Sequence, residues 1–309
     1  MTQHEVIVVA WDGKEKHLFN ITAEQFLDLE RSSTRLTFGV VFEQRLDLLI
    51  ENFAELERCI IDAALRYAIF GGDTYDQLGQ ARHTANRYLS NLMSSAKMYL
   101  DQTSHDLSSI FGHGSEAHLT FVQASRDEYD RSLSYRCLEA LRNHAQHRAL
   151  PVHGMEFSVG VDEVDSDSKF TKHKASMSIS VRTLKREGSF KAAVLSELEE
   201  FESDDDRIQL MPFVRDYIGG IGVVHRKTRE FLEPTFVRDD SQISLLFDLV
   251  EDAVGKRDAR VDVIFRPKGS PERSRYFSER ATKDRLAYAK KNPRPHSLDR
   301  HYVSSRPDK

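Results

Sequence analysis

The sequence contains little cysteine and no long hydrophobic run. Its 309 residues include two cysteines, Cys59 and Cys137, and both sit among apolar residues at helical spacing. This pattern favours buried thiols in a reducing compartment over a disulfide framework. No apolar run approaches the roughly 20 residues of a membrane-spanning helix, and the N-terminal segment lacks the basic start of a secretion signal. We therefore expect a cytoplasmic globular protein without membrane contact.

Charge is distributed unevenly along the chain. The formal net charge is −5, yet residues 256–309 carry 16 Lys and Arg against 7 Asp and Glu. A basic C-terminal segment behind an acidic body indicates either a contact with nucleic acid or an acidic partner, or attraction to its own body. Because the segment contains no recognisable binding module, both interpretations stay open.

Helical periodicity dominates the chain. Apolar residues at three- and four-residue steps predict three long helices, over residues 42–70, 74–110 and 115–149. Because short glycine-rich breaks separate them, we expect these helices to pack antiparallel. The third helix should turn Leu119, Val122 and Leu138 inward. A β-hairpin over 4–21 and a short helix from Thr22 precede this bundle.

Beyond the bundle the apolar pattern changes. Alternation by twos predicts strands over 155–161 and 175–181, forming a hairpin across one end of the bundle. Further helices over 189–201, 208–232 and 242–254 and a strand over 259–265 follow. The run Gly219-Gly220-Ile221-Gly222 lacks the lysine and the preceding strand of a phosphate loop, so it indicates close helix packing or a kink.

These patterns predict a mainly α protein in which an antiparallel helical bundle carries an added β-hairpin and short terminal strands. The expected divisions are an N-terminal hairpin and short helix, the bundle, a hairpin with C-terminal helices, and a basic, poorly ordered tail. Their boundaries are 1–35, 36–154, 155–266 and 267–309.

The chemistry-bearing residues gather near the end of the third long helix. Arg142 is followed at once by Asn143 and five positions later by His147, before Pro151 stops the helix. An Arg–His pair at this spacing is expected about once by chance, so the adjacent asparagine and the helix end carry the signal. At about 100° per residue, Asn143 and His147 share a face, whereas Arg142 and His147 lie about 140° apart. Arg142 and His147 would converge more easily at the helix end or across a twofold interface.

The segment Arg142-Asn143-His144-Ala145-Gln146-His147 resembles the Arg-polar-x-x-x-His motif of the HEPN superfamily of all-helical domains. The resemblance covers residues 36–154 and looks closest to bacterial HEPN-like proteins with a Leu-Pro step after the motif, here Leu150-Pro151. It implies a homodimer whose two motifs build one ribonuclease site. It also implies a toxin, abortive-infection or phage-defence context, with a regulatory partner protein or antitoxin.

The sequence departs from the toxin branch at one position of that motif. Where those proteins carry a tyrosine two places after the histidine, this chain has Ala149, so regulation by tyrosine modification is not expected. The minimal bundle also leaves the later hairpin and helices unexplained.

The residues suit RNA cleavage by the substrate's own 2′-hydroxyl, which needs a base, an acid and a cation for the phosphorane. His147 can serve as acid or base, and Arg142 stays charged and matches phosphate geometry. Asn143 would orient His147 or touch phosphate. Weaker substrate contacts are expected from His144, Arg148 and His153. The expected product is a 2′,3′-cyclic phosphate, formed without a metal or another cofactor.

Other interpretations stay open. A zinc site from His144, His147 and His153 would lack a completing cysteine or carboxylate pair. A non-enzymatic dimeric adaptor or regulator would use Arg142 and His147 to cap a helix C-terminus, where cations are favoured. Serine-hydrolase chemistry is disfavoured because the sequence has no Gly-x-Ser-x-Gly element.

Overall fold

The computed structural model is mainly helical, with two small antiparallel sheets, which confirms the expected fold class. It describes residues 5–11, 15–71, 74–165, 168–188, 190–202, 206–266 and 271–293. The helices in these ranges are α1 (Ala23–Phe70), α2 (Tyr75–Phe111), α3 (Glu116–Arg131), α4 (Leu133–His147), α5 (Val181–Glu187), α6 (Ala192–Glu199), α7 (Leu210–Val254) and α8 (Arg280–Lys291). The strands are β1 (Glu5–Trp11), β2 (Glu15–Asn20), β3 (Gly154–Asp165), β4 (Ser168–Ile179), β5 (Ile208–Gln209), β6 (Arg260–Arg266) and β7 (Arg273–Phe277). None of these helices combines the length and apolarity needed to cross a bilayer.

The chain groups into two compact units, each assembled from stretches far apart in sequence. The first lies within Met1–Arg45, His105–His118 and Thr228–Pro293, and the described part of the second lies within Leu46–Ser104 and Leu119–Lys227. These units do not follow the linear boundaries expected at 35, 154 and 266. Periodicity finds helices but carries no information about which distant helices pack together.

The first unit contains a four-stranded sheet in the order β2-β1-β6-β7. The expected N-terminal hairpin is confirmed by the antiparallel pairing of β1 with β2, while its Asp12-Gly13 turn lies outside the described residues. Both faces of β1 are covered, since Ile7, Val8, Val9 and Ala10 are all buried. The expected strand near 259–265 is β6, which pairs with the other edge of β1.

Residues expected in an irregular tail form β7 and α8 instead. Phe277 is buried at the end of β7, and Arg285 of α8 is only 3% exposed. The Arg285 guanidinium donates to Glu233 Oε2 at 2.7 Å and lies 4.8 Å from the centre of the Phe236 ring. Lysine- and arginine-rich composition suggested disorder, but this arginine is part of the core.

Many basic groups of the C-terminal region are paired within the first unit. Arg273 lies 2.6 Å from Glu30, Arg257 lies 2.6 Å from Glu279, and Arg285 pairs with Glu233 as described. Of the two interpretations of the basic segment, these pairs favour attraction to the protein's own carboxylates.

Helix α1 is continuous where a short helix and a separate long one were expected. Its polar stretch stays helical because the side chains find partners on α7: Ser32 Oγ donates to Gln242 at 2.6 Å, and Arg35 Nη2 donates to Asp239 at 2.7 Å. Hydroxyls that compete with a helix in isolation are satisfied here by tertiary contacts.

Helix α7 likewise merges two expected helices and continues through Pro234. An interior proline costs about 3 kcal/mol or more. Leu232 and Phe236 on either side are both buried in the first unit, and burying each side chain contributes about 1.5–3 kcal/mol. Packing therefore offsets the proline.

The second unit interrupts the expected helix over 115–149 at Ser132. This residue has extended dihedral angles, and its Oγ accepts the Tyr135 N–H at 3.1 Å as the N-cap of α4. The Ser132 hydroxyl also donates to Asp216 at 2.6 Å. The buried face of α3 also differs from the expected one: Leu119, expected to face inward, is 53% exposed, while Phe121 is buried.

Gly220 shows why α7 carries glycines. A Cβ at this position would lie 3.3 Å from both Glu128 Oε2 and Tyr135 Cδ2. The close helix packing expected from the sequence is therefore confirmed at Gly220.

The expected hairpin of the second unit is formed by β3 and β4, which pair Met155 with Met177. β5 adds a third strand through Ile179 and Ile208. The ring of Phe157 on β3 stacks on Tyr67 of α1, with centroids 4.8 Å apart. The hairpin is thereby held against the last turns of α1.

Both cysteines are free thiols. Cys137 is fully buried, and burial raises the pKa of its thiol to about 12. Cys59 is half-buried, and burial together with the Asp62 charge raises its pKa. The thiol form is therefore favoured at both positions, as the sequence predicted.

Candidate functional site

Helix α4 carries the sequence motif, and the motif residues differ in how far they are buried. Leu141 and His144 are buried, whereas Asn143, Gln146 and His147 are exposed. The exposed residues fall at positions i, i+3 and i+4, which form one strip on a helix surface. The shared face expected for Asn143 and His147 is thus open to solvent; we call these three residues the motif strip.

Arg142 lies at the margin of the motif strip and is half-buried. Its Nη1 donates to Asn143 Oδ1 at 3.2 Å, while its Nε is buried and has no hydrogen-bond partner among the residues that the structure describes. Burial and Glu139 raise the pKa of Tyr217 well above its ordinary value, and the nearby Arg142 charge partly opposes that effect. Tyr217 therefore stays a neutral hydroxyl, which donates to Glu139 at 2.9 Å.

His147 occupies the last helical position of α4. Across the described parts of the chain, its ring makes no hydrogen bond or ion pair. The His147 imidazole is therefore accessible to a ligand or to another chain. Arg148 caps the helix through its backbone N–H, which donates to the His144 carbonyl at 2.9 Å, and its side chain is exposed.

His144 lies on the opposite face of α4 with no exposed side-chain surface. Its Nε2 lies 2.9 Å from Glu187 Oε2 at the end of α5, whereas its Nδ1 is buried and forms no hydrogen bond within the described part of the chain. A side chain so enclosed cannot touch a dissolved polynucleotide without moving. In this conformation His144 fastens α4 to α5.

His153 is also held internally, 13% of its side chain being exposed. Its Nδ1 accepts the Ser180 backbone N–H at 2.9 Å, so a neutral ring carries its proton on Nε2. That Nε2 lies 3.7 Å from Glu187 Oε2. Burial lowers the pKa of His153 even though the Glu187 charge acts in the opposite direction. This position suits a structural imidazole.

The segment after α4 is clamped by α2. The buried Asn86 side chain accepts the Val152 N–H at 2.8 Å and donates to the Val152 carbonyl at 3.1 Å. Arg82 Nη1 donates to the His153 carbonyl at 3.2 Å. Sequence reasoning missed Asn86, Glu187 and Ser180, because nothing in a periodic pattern pairs residues so distant.

The three histidines of the zinc alternative are not brought together. His147 is exposed on the motif strip, and His144 is buried on the opposite face. Within the described ranges, no group of three histidine, cysteine or acidic side chains is arranged to hold a metal ion.

No family model, curated protein or solved structure matches this chain. Any assignment of function therefore depends on the geometry around α4 and on the motif itself.

Proposed function

We propose that the protein is a metal-independent endoribonuclease of the HEPN type, acting as a homodimer. The observation that carries the proposal is the motif strip at the end of α4, with the Arg142 guanidinium attached to it through Asn143. His144 anchors the opposite face through Glu187. The arrangement presents a cation and a titratable imidazole to solvent on a fixed helix end, as phosphodiester cleavage requires.

The angular separation of the two principal groups supports a dimer. Arg142 and His147 lie about 140° apart around a straight helix. A twofold axis near the end of α4 would place His147 of one protomer beside Arg142 of its partner. It would also supply two imidazoles, one for each proton transfer.

In the proposed reaction one His147 removes the proton of a ribose 2′-hydroxyl, and O2′ attacks the adjacent phosphorus. The phosphorus–O5′ bond breaks, and the second His147, protonated, donates a proton to the leaving oxygen. Arg142 stabilises the charge on the phosphorane, and Asn143 holds its guanidinium in place. The products are a 2′,3′-cyclic phosphate and a 5′-hydroxyl.

A second candidate is a non-enzymatic dimeric adaptor. It is favoured by the position of His147 in the last turn of α4 and by the wide angular separation of Arg142 and His147 on that helix. A cation there stabilises the helix end without any chemistry. The same motif strip would then serve only as an interface.

Cleavage assays separate the two candidates. With labelled RNA in EDTA, His147→Ala and Arg142→Ala should each reduce the cleavage rate by about 100-fold or more, the usual effect of removing acid–base or oxyanion-stabilising groups. Arg126→Ala, at an exposed arginine of α3 outside the motif strip, is the matched control and should cleave like the wild type. Light scattering checks that every variant keeps its oligomeric state.

A growth assay supplies an independent test. Overproduced wild type should slow cell growth, whereas His147→Ala should not. If the wild type does not cleave RNA, or if all variants cleave equally, the ribonuclease is excluded and the adaptor is the better explanation.

A further inference from the structure

A cleft of about 790 Å³ opens in the second unit between the last turns of α1 and the first turns of α2. Its volume lies in the range of small-molecule and cofactor sites, about 300–1,000 Å³. None of the motif residues lines it. Its walls combine arginines, carboxylates, amides and aromatic rings.

Arg58 and Arg66 project from α1 into this cleft and are both exposed. Throughout the described ranges neither guanidinium has a hydrogen bond or an ion pair; Arg66 lies 5.9 Å from the centre of the Phe70 ring. Arginines of the C-terminal region are instead paired with carboxylates, as shown above for Arg273 and Arg285. The cleft therefore offers two guanidinium groups that are open to a phosphate, in addition to Arg142 of the motif strip.

Aromatic rings form the cleft's flat surfaces. Tyr67 stacks on Phe157 at an interplanar angle of 11°, and both residues line the cleft. The ring of Tyr88 lines another part of the wall and carries the Arg87 guanidinium 4.6 Å from its centre. Rings fixed in this way offer stacking surfaces to a base.

The remaining polar groups restrict the ligand further. Glu55 and Asp62 line the cleft without a hydrogen bond to any described residue, and so do the side-chain amides of Gln77 and Gln80. An apolar ligand would desolvate these groups without compensation, and a purely anionic ligand would face two carboxylates. The edge of a flat ring can donate to these carboxylates and pair with these amides, while an attached phosphate pairs with the arginines.

We propose that this cleft binds a nucleotide, with the base against the aromatic rings and the phosphate on Arg58 and Arg66. The source is an unpaired nucleotide of an RNA strand or a free mononucleotide. The site goes beyond the proposed cleavage reaction and does not depend on it. Yet α2 joins the two regions, because Arg82 and Asn86 hold the segment after α4 while Gln80 and Tyr88 line the cleft.

Binding to the full chain should be measured with two probes. One is a fluorescein-labelled 2′-O-methyl tetra-adenylate, which cannot be cleaved because its 2′-oxygen is blocked. The other is N-methylanthraniloyl-AMP. The double variant Arg58→Gln/Arg66→Gln should weaken binding at least about tenfold. For the oligonucleotide it should also reduce the slope of log K against log salt by about 0.7, because the two arginines no longer neutralise one phosphate.

Arg126→Gln is the matched control, because Arg126 is an exposed arginine of the same unit outside the cleft. It should bind both probes like the wild type. Tyr88→Leu keeps an apolar side chain but removes a stacking surface, and it should also weaken binding. Circular dichroism verifies that each variant is folded.

The relative affinity of the two probes shows whether the bound nucleotide belongs to an RNA strand or is free. Tighter binding of the tetranucleotide assigns the cleft to an RNA strand, and tighter binding of the mononucleotide assigns it to a free nucleotide. The proposal is overturned if neither probe binds at millimolar concentration, or if the double variant binds like the wild type. Only the binding that the double variant loses is assigned to the cleft, so failure of the cleavage proposal leaves this result interpretable.

Discussion

The clamp between α2 and the segment after α4 predicts a large effect from one small substitution, Asn86→Ala. Asn86 is 2% exposed and so is Val152, whose backbone N–H and carbonyl both bond to the Asn86 amide. Truncation removes both partners at once. Val152 itself is unchanged, so its two polar groups remain buried.

The magnitude follows from the two unpaired groups. A buried donor or acceptor left without a partner costs about 1–3 kcal/mol, so we expect Asn86→Ala to lower the free energy of unfolding by about 3 kcal/mol. Asn52→Ala provides the matched control. Among the described residues, the Asn52 side chain bonds only to the Leu48 carbonyl one turn earlier on α1. Its loss should cost less than about 1 kcal/mol because alanine has a higher helix propensity.

Urea unfolding followed by circular dichroism measures both changes, and equal slopes against urea show that the unfolded states are comparable. If the clamp positions the end of α4, Asn86→Ala should also reduce RNA cleavage under conditions where it remains folded. Should Asn86→Ala prove as stable as Asn52→Ala, the Asn86 contacts would contribute nothing and the argument would be refuted.

Two further predictions concern stability. The pKa of His153 is lowered in the folded protein from its ordinary value of 6.5, so the imidazole binds a proton more readily in the unfolded chain. The free energy of unfolding should therefore fall as pH drops below about 6.5. His153→Asn, with an oxygen that can accept the Ser180 N–H, should flatten this dependence in urea titrations at pH 7.5 and 5. Gly39→Ala would place a Cβ 2.9 Å from Arg285 Cδ and should lower the free energy of unfolding by about 1 kcal/mol. At Gly79 an added Cβ meets no described atom within 4 Å, so Gly79→Ala should raise the free energy of unfolding by about 0.5–1 kcal/mol. Changes of the same sign for both glycines would contradict this reasoning.

Periodicity predicted most elements because burial on one face imposes a repeat. The paired strands β3 and β4 and the N-terminal hairpin were found in this way. Helix ends were predicted less well, because they depend on tertiary partners. Ser132 ends one helix and caps the next while bonding to Asp216, whereas Ser32 remains inside α1 because Gln242 and Asp239 accept its hydroxyl.

In the candidate site, too, helix periodicity predicted some features, whereas those that depend on tertiary partners could not be predicted. The shared face of Asn143 and His147 follows from helix geometry alone and is present in the structure. The burial of His144 could not be predicted, since its partner Glu187 lies 43 residues further along the chain. Three histidines with similar sequence context consequently have different environments. Only His147 remains available for the proposed chemistry, and its activity in RNA cleavage stays a prediction.

The position of β1 between β2 and β6 in the sheet of the first unit has a consequence for biosynthesis. β1 forms its second ladder with β6, about 250 residues later in the chain. Until the ribosome has made that segment, one edge of an apolar strand lacks its hydrogen-bonding partner, and such edges favour aggregation. Contacts so distant in sequence also close slowly. In a nascent chain, the apolar strand β1 is therefore protected on this edge only after β6 has been synthesised.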